Sequence, residues 1–203
     1  MKVILYYVYD PMCSWCWGYA PTWKKLENAL APHVEIVYGL GGLAEDSAQA
    51  MPEEMQTFLQ QTWHKISHQL GTDFNFDFWT KCEPRRSTYP ACRAALIARK
   101  FGKEQEMLKA IQQAYYLEAK NPSDIDTLKV LASDLGLDAD DFLQQISSKE
   151  IDIELKQEIN VMRQMPINGF PSLVLATGND VTAIPVDYKN WRTSYQAILN
   201  EGD

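Results

Sequence analysis

The run Asp10-Pro11-Met12-Cys13-Ser14-Trp15-Cys16 holds two thiols separated by two residues. One helical turn at that spacing brings the sulfurs near enough to bond, so the pair can cycle between dithiol and disulfide. Where Cys13 opens a helix, unpaired backbone N–H groups and the positive helix end favour its thiolate, the form that attacks a disulfide. Cys13 is therefore the expected nucleophile. Cys16, one turn in and less exposed, is expected to resolve the mixed disulfide. Asp10 admits two roles, a buried carboxylate that takes and returns a proton as Cys16 attacks, or a turn residue before Pro11. Trp15, Trp17 and Tyr19 cluster around the dithiol and offer an apolar rim for extended protein substrates, and Ser14, between the cysteines, is expected to contact substrate with Trp15 and Trp17. For Trp17, packing against the rest of the chain is an equal alternative.

The other chemistry-bearing residues are fewer. A C-x-x-C pair is also half of a zinc site, which needs two more ligands. Cys82, Cys92, His33, His64 and His68 offer no paired spacing of that kind, so no metal is expected. Cys82 and Cys92 are separated by nine residues and could form a second disulfide, although Cys92, on the apolar run Ala91–Ile97, is most simply a buried helix residue. Trp63, Phe74, Phe76, Phe78 and Trp79 could line a groove over the dithiol or fill a core. His64 and His68 read as solvated helix positions. Gly39, Gly41 and Gly42 lack a phosphate-loop pattern, and no nucleotide site is expected.

The elements that must hold the dithiol follow from periodicity. Val3–Tyr9 is a β-branched and aromatic run that starts after Met1-Lys2 and ends at Asp10-Pro11, and Trp15–Leu30 has helical spacing. After the breaker Ala31-Pro32, Val34–Tyr38 alternates as a strand and is expected to stop at Gly39, which makes a βαβ unit. Helical stripes then cover Pro52–Leu70, Tyr89–Phe101, Glu104–Glu118, Ile125–Leu135, Ala139–Ser147 and Glu150–Met165, with Asp124 and Asp138 as N-caps. Strand character returns at Ser172–Ala176 and Val181–Ile184 around a turn, and a terminal helix is expected from Tyr188 to Leu199. The order implies an α/β, thioredoxin-like core of residues 1–48 and 166–203, with an all-helical insertion of residues 49–165.

With 203 residues and 46% hydrophobic content the chain can bury a substantial core without a disulfide framework. A net charge of -8 opposes nucleic acid and anionic membrane as partners. No apolar run reaches the length of a membrane span, and the N-terminus lacks a cleavage signal, so a reducing cytoplasm is the expected compartment.

The segment Asp10-Pro11-Met12-Cys13-Ser14-Trp15-Cys16-Trp17-Gly18 resembles the active site of DsbA-family, FrnE-like protein-disulfide isomerases. Pro21 resembles the kinking proline of their active-site helix, and Gly169-Phe170-Pro171-Ser172 resembles their cis-proline loop. The resemblance implies a thiol-disulfide oxidoreductase or isomerase with Phe170 and Pro171 holding substrate opposite Cys13, through a cis bond. It implies protein disulfides, thiols or glutathione as partners and no cofactor beyond the dithiol, with glutathione as a candidate reductant. Ser14-Trp15 differs from the dipeptides of thioredoxin and DsbA, so the direction of exchange does not carry over. Glutathione transferase kappa and hydroxychromene carboxylate isomerases share the fold but usually carry serine at the first position. A glutathione-dependent transferase or isomerase, or a redox-independent chaperone-like module, are the alternatives.

Overall fold

The computed structural model describes residues 3–31 and 33–202. The expectations placed on Met1-Lys2 and Pro32 fall outside them.

β1 (Val3–Tyr9), rich in β-branched and aromatic residues, is an inner strand whose Leu5, Tyr7, Val8 and Tyr9 are buried. It pairs in parallel with β2 (Glu35–Leu40) and antiparallel with β3 (Ser172–Thr177), which pairs antiparallel with β4 (Asp180–Ile184). The sheet order β2-β1-β3-β4 is that of a thioredoxin-like core. α1 (Ser14–Leu30) makes the crossover, with Pro21 inside it, and Trp23 stacks on Tyr7 at 4.2 Å between ring centroids. The terminal helix α9 (Trp191–Gly202) packs beside α1.

Between β2 and β3 run the helices α2 (Glu53–Leu70), α3 (Phe78–Lys81), α4 (Tyr89–Lys100), α5 (Glu104–Tyr116), α6 (Ile125–Asp134), α7 (Ala139–Ile146) and α8 (Lys149–Arg163). Charged and polar bonds tie them to the sheet. Arg99 of α4 donates to Glu104, Glu158 and the Tyr38 carbonyl, while Glu104 accepts from the Tyr9 hydroxyl and Glu158 from the Leu40 N–H.

Four local expectations need correction. β2 continues through Gly39 and Leu40, opposite Val8 and Tyr9. Gly39 serves close packing there, since a Cβ would lie 2.2 Å from the Met162 sulfur. α9 begins at Trp191 instead of Tyr188, because the Asp187 carboxylate accepts the N–H groups of Lys189 and Asn190 and holds them in a turn. Asp138 caps α7 as expected, but the Asp124 carboxylate pairs with Arg85 and makes no cap bond. α3 was absent from the periodicity because one turn is too short to show a period of 3.6 residues.

Candidate active site

The dithiol sits where β1 gives way to α1. Cys13 is the N-cap residue of α1, with extended backbone angles, and its N–H donates to the Asp10 carbonyl at 3.0 Å. The residue retains 7% exposure, while Cys16 is fully buried inside the first turn. Both thiols are free. Burial pushes the Cys16 thiol well above its ordinary range, and its hydrogen bond with Cys13 and the charge of Cys13 act in the same direction. The two cysteines are thus inequivalent, one at the helix start where a cavity reaches it and one enclosed behind it.

Three residues of the helical block grip the turn. Trp63 of α2, fully buried, donates its indole N–H to the Ser14 hydroxyl at 3.0 Å. The Tyr116 hydroxyl donates to the Met12 carbonyl at 2.7 Å. Tyr116 also stacks on Trp17, whose indole N–H donates to the Asp73 carbonyl. Trp63 is surrounded by Phe74, Phe76, Phe78 and Trp79, so these aromatics form core beneath the turn.

Asp10 is fully buried and accepts four hydrogen bonds. Its Oδ1 takes the Met12 N–H at 2.8 Å. Its Oδ2 takes the Leu43 N–H at 2.6 Å, the Thr88 hydroxyl at 2.7 Å and the Cys92 thiol at 3.5 Å. One carboxyl therefore joins the dithiol turn, the segment after β2 and the start of α4. Burial raises its pKa despite these donors. The Cys92 thiol, also raised by burial, has Asp10 as its partner, whereas Cys82 donates to the Ala119 carbonyl. The two cysteines are engaged in different places.

Opposite the dithiol, the chain before β3 brings Phe170 to Cys13. The Cys13 sulfur lies 3.4 Å from the Phe170 carbonyl oxygen, and the Phe170–Pro171 peptide is cis. Pro171 is buried at the entry to β3. Gly41 makes room for the Phe170 ring, since a Cβ there would lie 2.0 Å from it.

A cavity of 560 Å³ opens beside Cys13. Met12, Ser14 and Trp15 form its dithiol side, Phe170 and Gly169 another wall, and Leu43, Phe58, Tyr188, Arg85 and Arg86 are among the residues that line the rest. Trp17 is not part of this lining. Sequence reasoning missed Tyr188, Arg85, Arg86 and Phe58. Tyr188 carries no local signal, yet it packs edge-on against Trp15 at 5.2 Å, and its phenol is raised by burial and by the charge of the two cysteines. Arg85 and Arg86 were visible only as a dibasic pair in a loop. Thiols with these unequal surroundings, beside an exposed apolar cavity and a backbone edge, can carry out stepwise thiol-disulfide exchange.

A family model described as thioredoxin matches residues 6–192. The ClpXP adapter protein SpxH of Halalkalibacterium halodurans is 24% identical over 86% of this chain, and the match spans 59% of that longer relative. A solved structure from Nitrosomonas europaea, put forward as a protein disulfide isomerase, is 28% identical with a TM-score of 0.85, covering 99% of this chain and 97% of that one. The cytosolic disulfide reductase DsbM of Pseudomonas aeruginosa is 21% identical with a TM-score of 0.79, covering 98% of this chain and 99% of its own. DsbM has also been solved with glutathione.

Proposed function

We propose that this chain, which belongs to the thioredoxin family, is a thiol-disulfide oxidoreductase in which Cys13 attacks and Cys16 resolves. The Cys13 thiolate displaces one sulfur of a substrate disulfide and forms a mixed disulfide. Cys16 then attacks the Cys13 sulfur, releasing the second substrate thiolate and leaving the Cys13–Cys16 disulfide. The substrate lies against Phe170 and Pro171, with Ser14 and Trp15 flanking it. Trp17 and Asp10 act as positioning residues that hold the turn.

The observation that carries this reading is the inequality of the two thiols. Cys13 is an N-cap residue at an open cavity, within 3.4 Å of the Phe170 carbonyl, whereas Cys16 is enclosed one turn behind it. The likeness to a protein put forward as a disulfide isomerase and the fold shared with DsbM support it. Small thiols such as glutathione and protein disulfides are both proposed partners, in line with the glutathione-containing DsbM structure and the adapter relative. No cofactor beyond the dithiol is needed for this chemistry. The reading includes a core of residues 1–48 and 166–203 with residues 49–165 as its helical covering, working in the cytoplasm. Among the described residues no helix is long and apolar enough to cross a membrane.

Cysteine variants test the assignment. Cys13→Ser should abolish exchange with a model disulfide. Cys16→Ser should instead accumulate a mixed disulfide on Cys13, seen by mass spectrometry without reductant. Multiple turnovers by Cys16→Ser without the trapped species, or activity in Cys13→Ser, would contradict the roles.

A further inference from the structure

The cavity at Cys13 differs in charge from the rest of the protein. The chain has 27 acidic and 19 basic residues. Among the described residues, the cavity is lined by two arginines and by no aspartate or glutamate. Arg85 is paired with Asp124. Arg86 is exposed, and among the described residues its side chain makes one hydrogen bond, a contact of 3.7 Å to the Met55 sulfur. Lys65 lies over the Trp15 ring at 5.7 Å and has no ion pair among the described residues. Asp10, behind Met12 and Thr88, is fully buried with its oxygens occupied by four donors.

A guanidinium without an acidic partner among the described residues, on a mostly apolar wall, is a ready partner for a carboxylate, which it can grip through two parallel N–H bonds. The cavity volume lies within the range of about 300–1,000 Å³ that small-molecule sites occupy. We propose that the cavity selects small disulfides whose arms carry a carboxylate a few bonds from the sulfur, with Arg86 as the specificity-determining cation. This inference rests on the exchange chemistry proposed above. In a single turnover the reduced protein and one RS–SR give the Cys13–Cys16 disulfide and two RSH. Two electrons and two protons pass from the dithiol to the substrate, so no further reductant enters.

Three disulfides of matched arm length test it, namely 3,3′-dithiodipropionate (anionic), 2-hydroxyethyl disulfide (neutral) and cystamine (cationic). Each is mixed with pre-reduced protein at low salt, and formation of the Cys13–Cys16 disulfide is timed by quenching with an alkylating agent. Each rate is divided by the rate with dithiothreitol, which removes intrinsic disulfide reactivity. The protein's overall charge of -8 would draw cystamine fastest, so the local site and the global field predict opposite orders. The expected order is anionic, neutral, cationic. In Arg86→Gln the anionic-to-neutral ratio should fall roughly fivefold, on the scale of one solvent-exposed charge-assisted contact. Arg86→Lys should recover part of that ratio and Arg86→Glu should invert it. A cystamine-first order, equal rates, or an unchanged ratio in Arg86→Gln overturns the inference and leaves the exchange reading standing. If none of the three oxidises the pair, the exchange reading fails and takes this inference with it. A peptide disulfide flanked by aspartates, run alongside, separates the sources of carboxylate, and a faster rate for the peptide overturns the assignment to small thiols.

Discussion

At the scale of single residues, the site depends on two buried groups that titrate in unequal surroundings. Cys16 is enclosed and its thiol is pushed up by burial, so at neutral pH iodoacetamide should modify Cys13 in the folded, reduced protein and spare Cys16 until denaturant is added. Peptide mapping after a timed exposure checks this, and equal labelling of both would contradict the enclosure. Asp10 offers a second prediction. Replacement by Asn puts an amide N–H against at least one of four donors and should cost about 2–4 kcal/mol in urea denaturation. Its folded pKa lies above the unfolded one, so between the two values the folded state binds more protons. Across that interval, above the ordinary carboxylate value, wild-type stability relative to Asp10→Asn should fall as pH rises. Asp46 has the opposite sign, because hydrogen bonds from Arg93 hold its pKa low, and its contribution is lost only as pH falls through that lowered value. The Asp10 difference is therefore best read above the range where Asp46 titrates. The sequence left Asp10 between proton carrier and turn residue because its partners Thr88 and Cys92 are 78 and 82 positions away.

At the scale of elements, the dithiol turn is held by contacts that cross from strand to helix to loop. Phe170 can reach Cys13 because Gly41, past the end of β2, leaves space for its ring. Gly41→Ala should displace the ring and the carbonyl with it, lowering the single-turnover oxidation rate roughly tenfold or more by misplacing the substrate edge. Its stability cost should be about 1–3 kcal/mol, as for other overpacked sites. A rate change no larger than twofold would show that the position of Phe170 is not limiting. Much of this level was legible. The β-branched run Val3–Tyr9, the C-x-x-C at a strand-to-helix junction and the apolar stripes of the insertion each carry a local signal. Of the boundaries that misled, one was set by a tertiary contact and one by a local turn. Gly39 looks like a stop but is a packing notch for Met162, and Asp187 delays α9 by holding the turn that presents Tyr188. The pairing of Trp63 with Ser14, 49 residues apart, has no counterpart in periodicity.

At the scale of the whole molecule, the helical block and the sheet share their polar core. Arg99 is held by Glu104, Glu158 and the Tyr38 carbonyl, Asp10 bridges the dithiol turn to α4, and Trp63 clamps Ser14. Because these bonds cross from one part to the other, far-UV dichroism and tryptophan fluorescence should report one coincident urea transition. Arg99→Ala, which strands two partly buried glutamates, should shift that transition by on the order of 2–4 kcal/mol without splitting it. Two separated transitions would show that the insertion folds by itself. The overall charge gives no hint of the local field at the dithiol, because Arg85 and Arg86 reach the cavity only through the fold. The central claim is that Cys13 and Cys16 form a reversible redox couple, and thiol alkylation with mass spectrometry across a series of glutathione buffers tests it most directly. The account predicts one two-electron transition, with the disulfide mapping to Cys13 and Cys16 while Cys82 and Cys92 stay alkylated as thiols. Thiols that remain reduced at every poise, or a disulfide that maps to another pair, would contradict it.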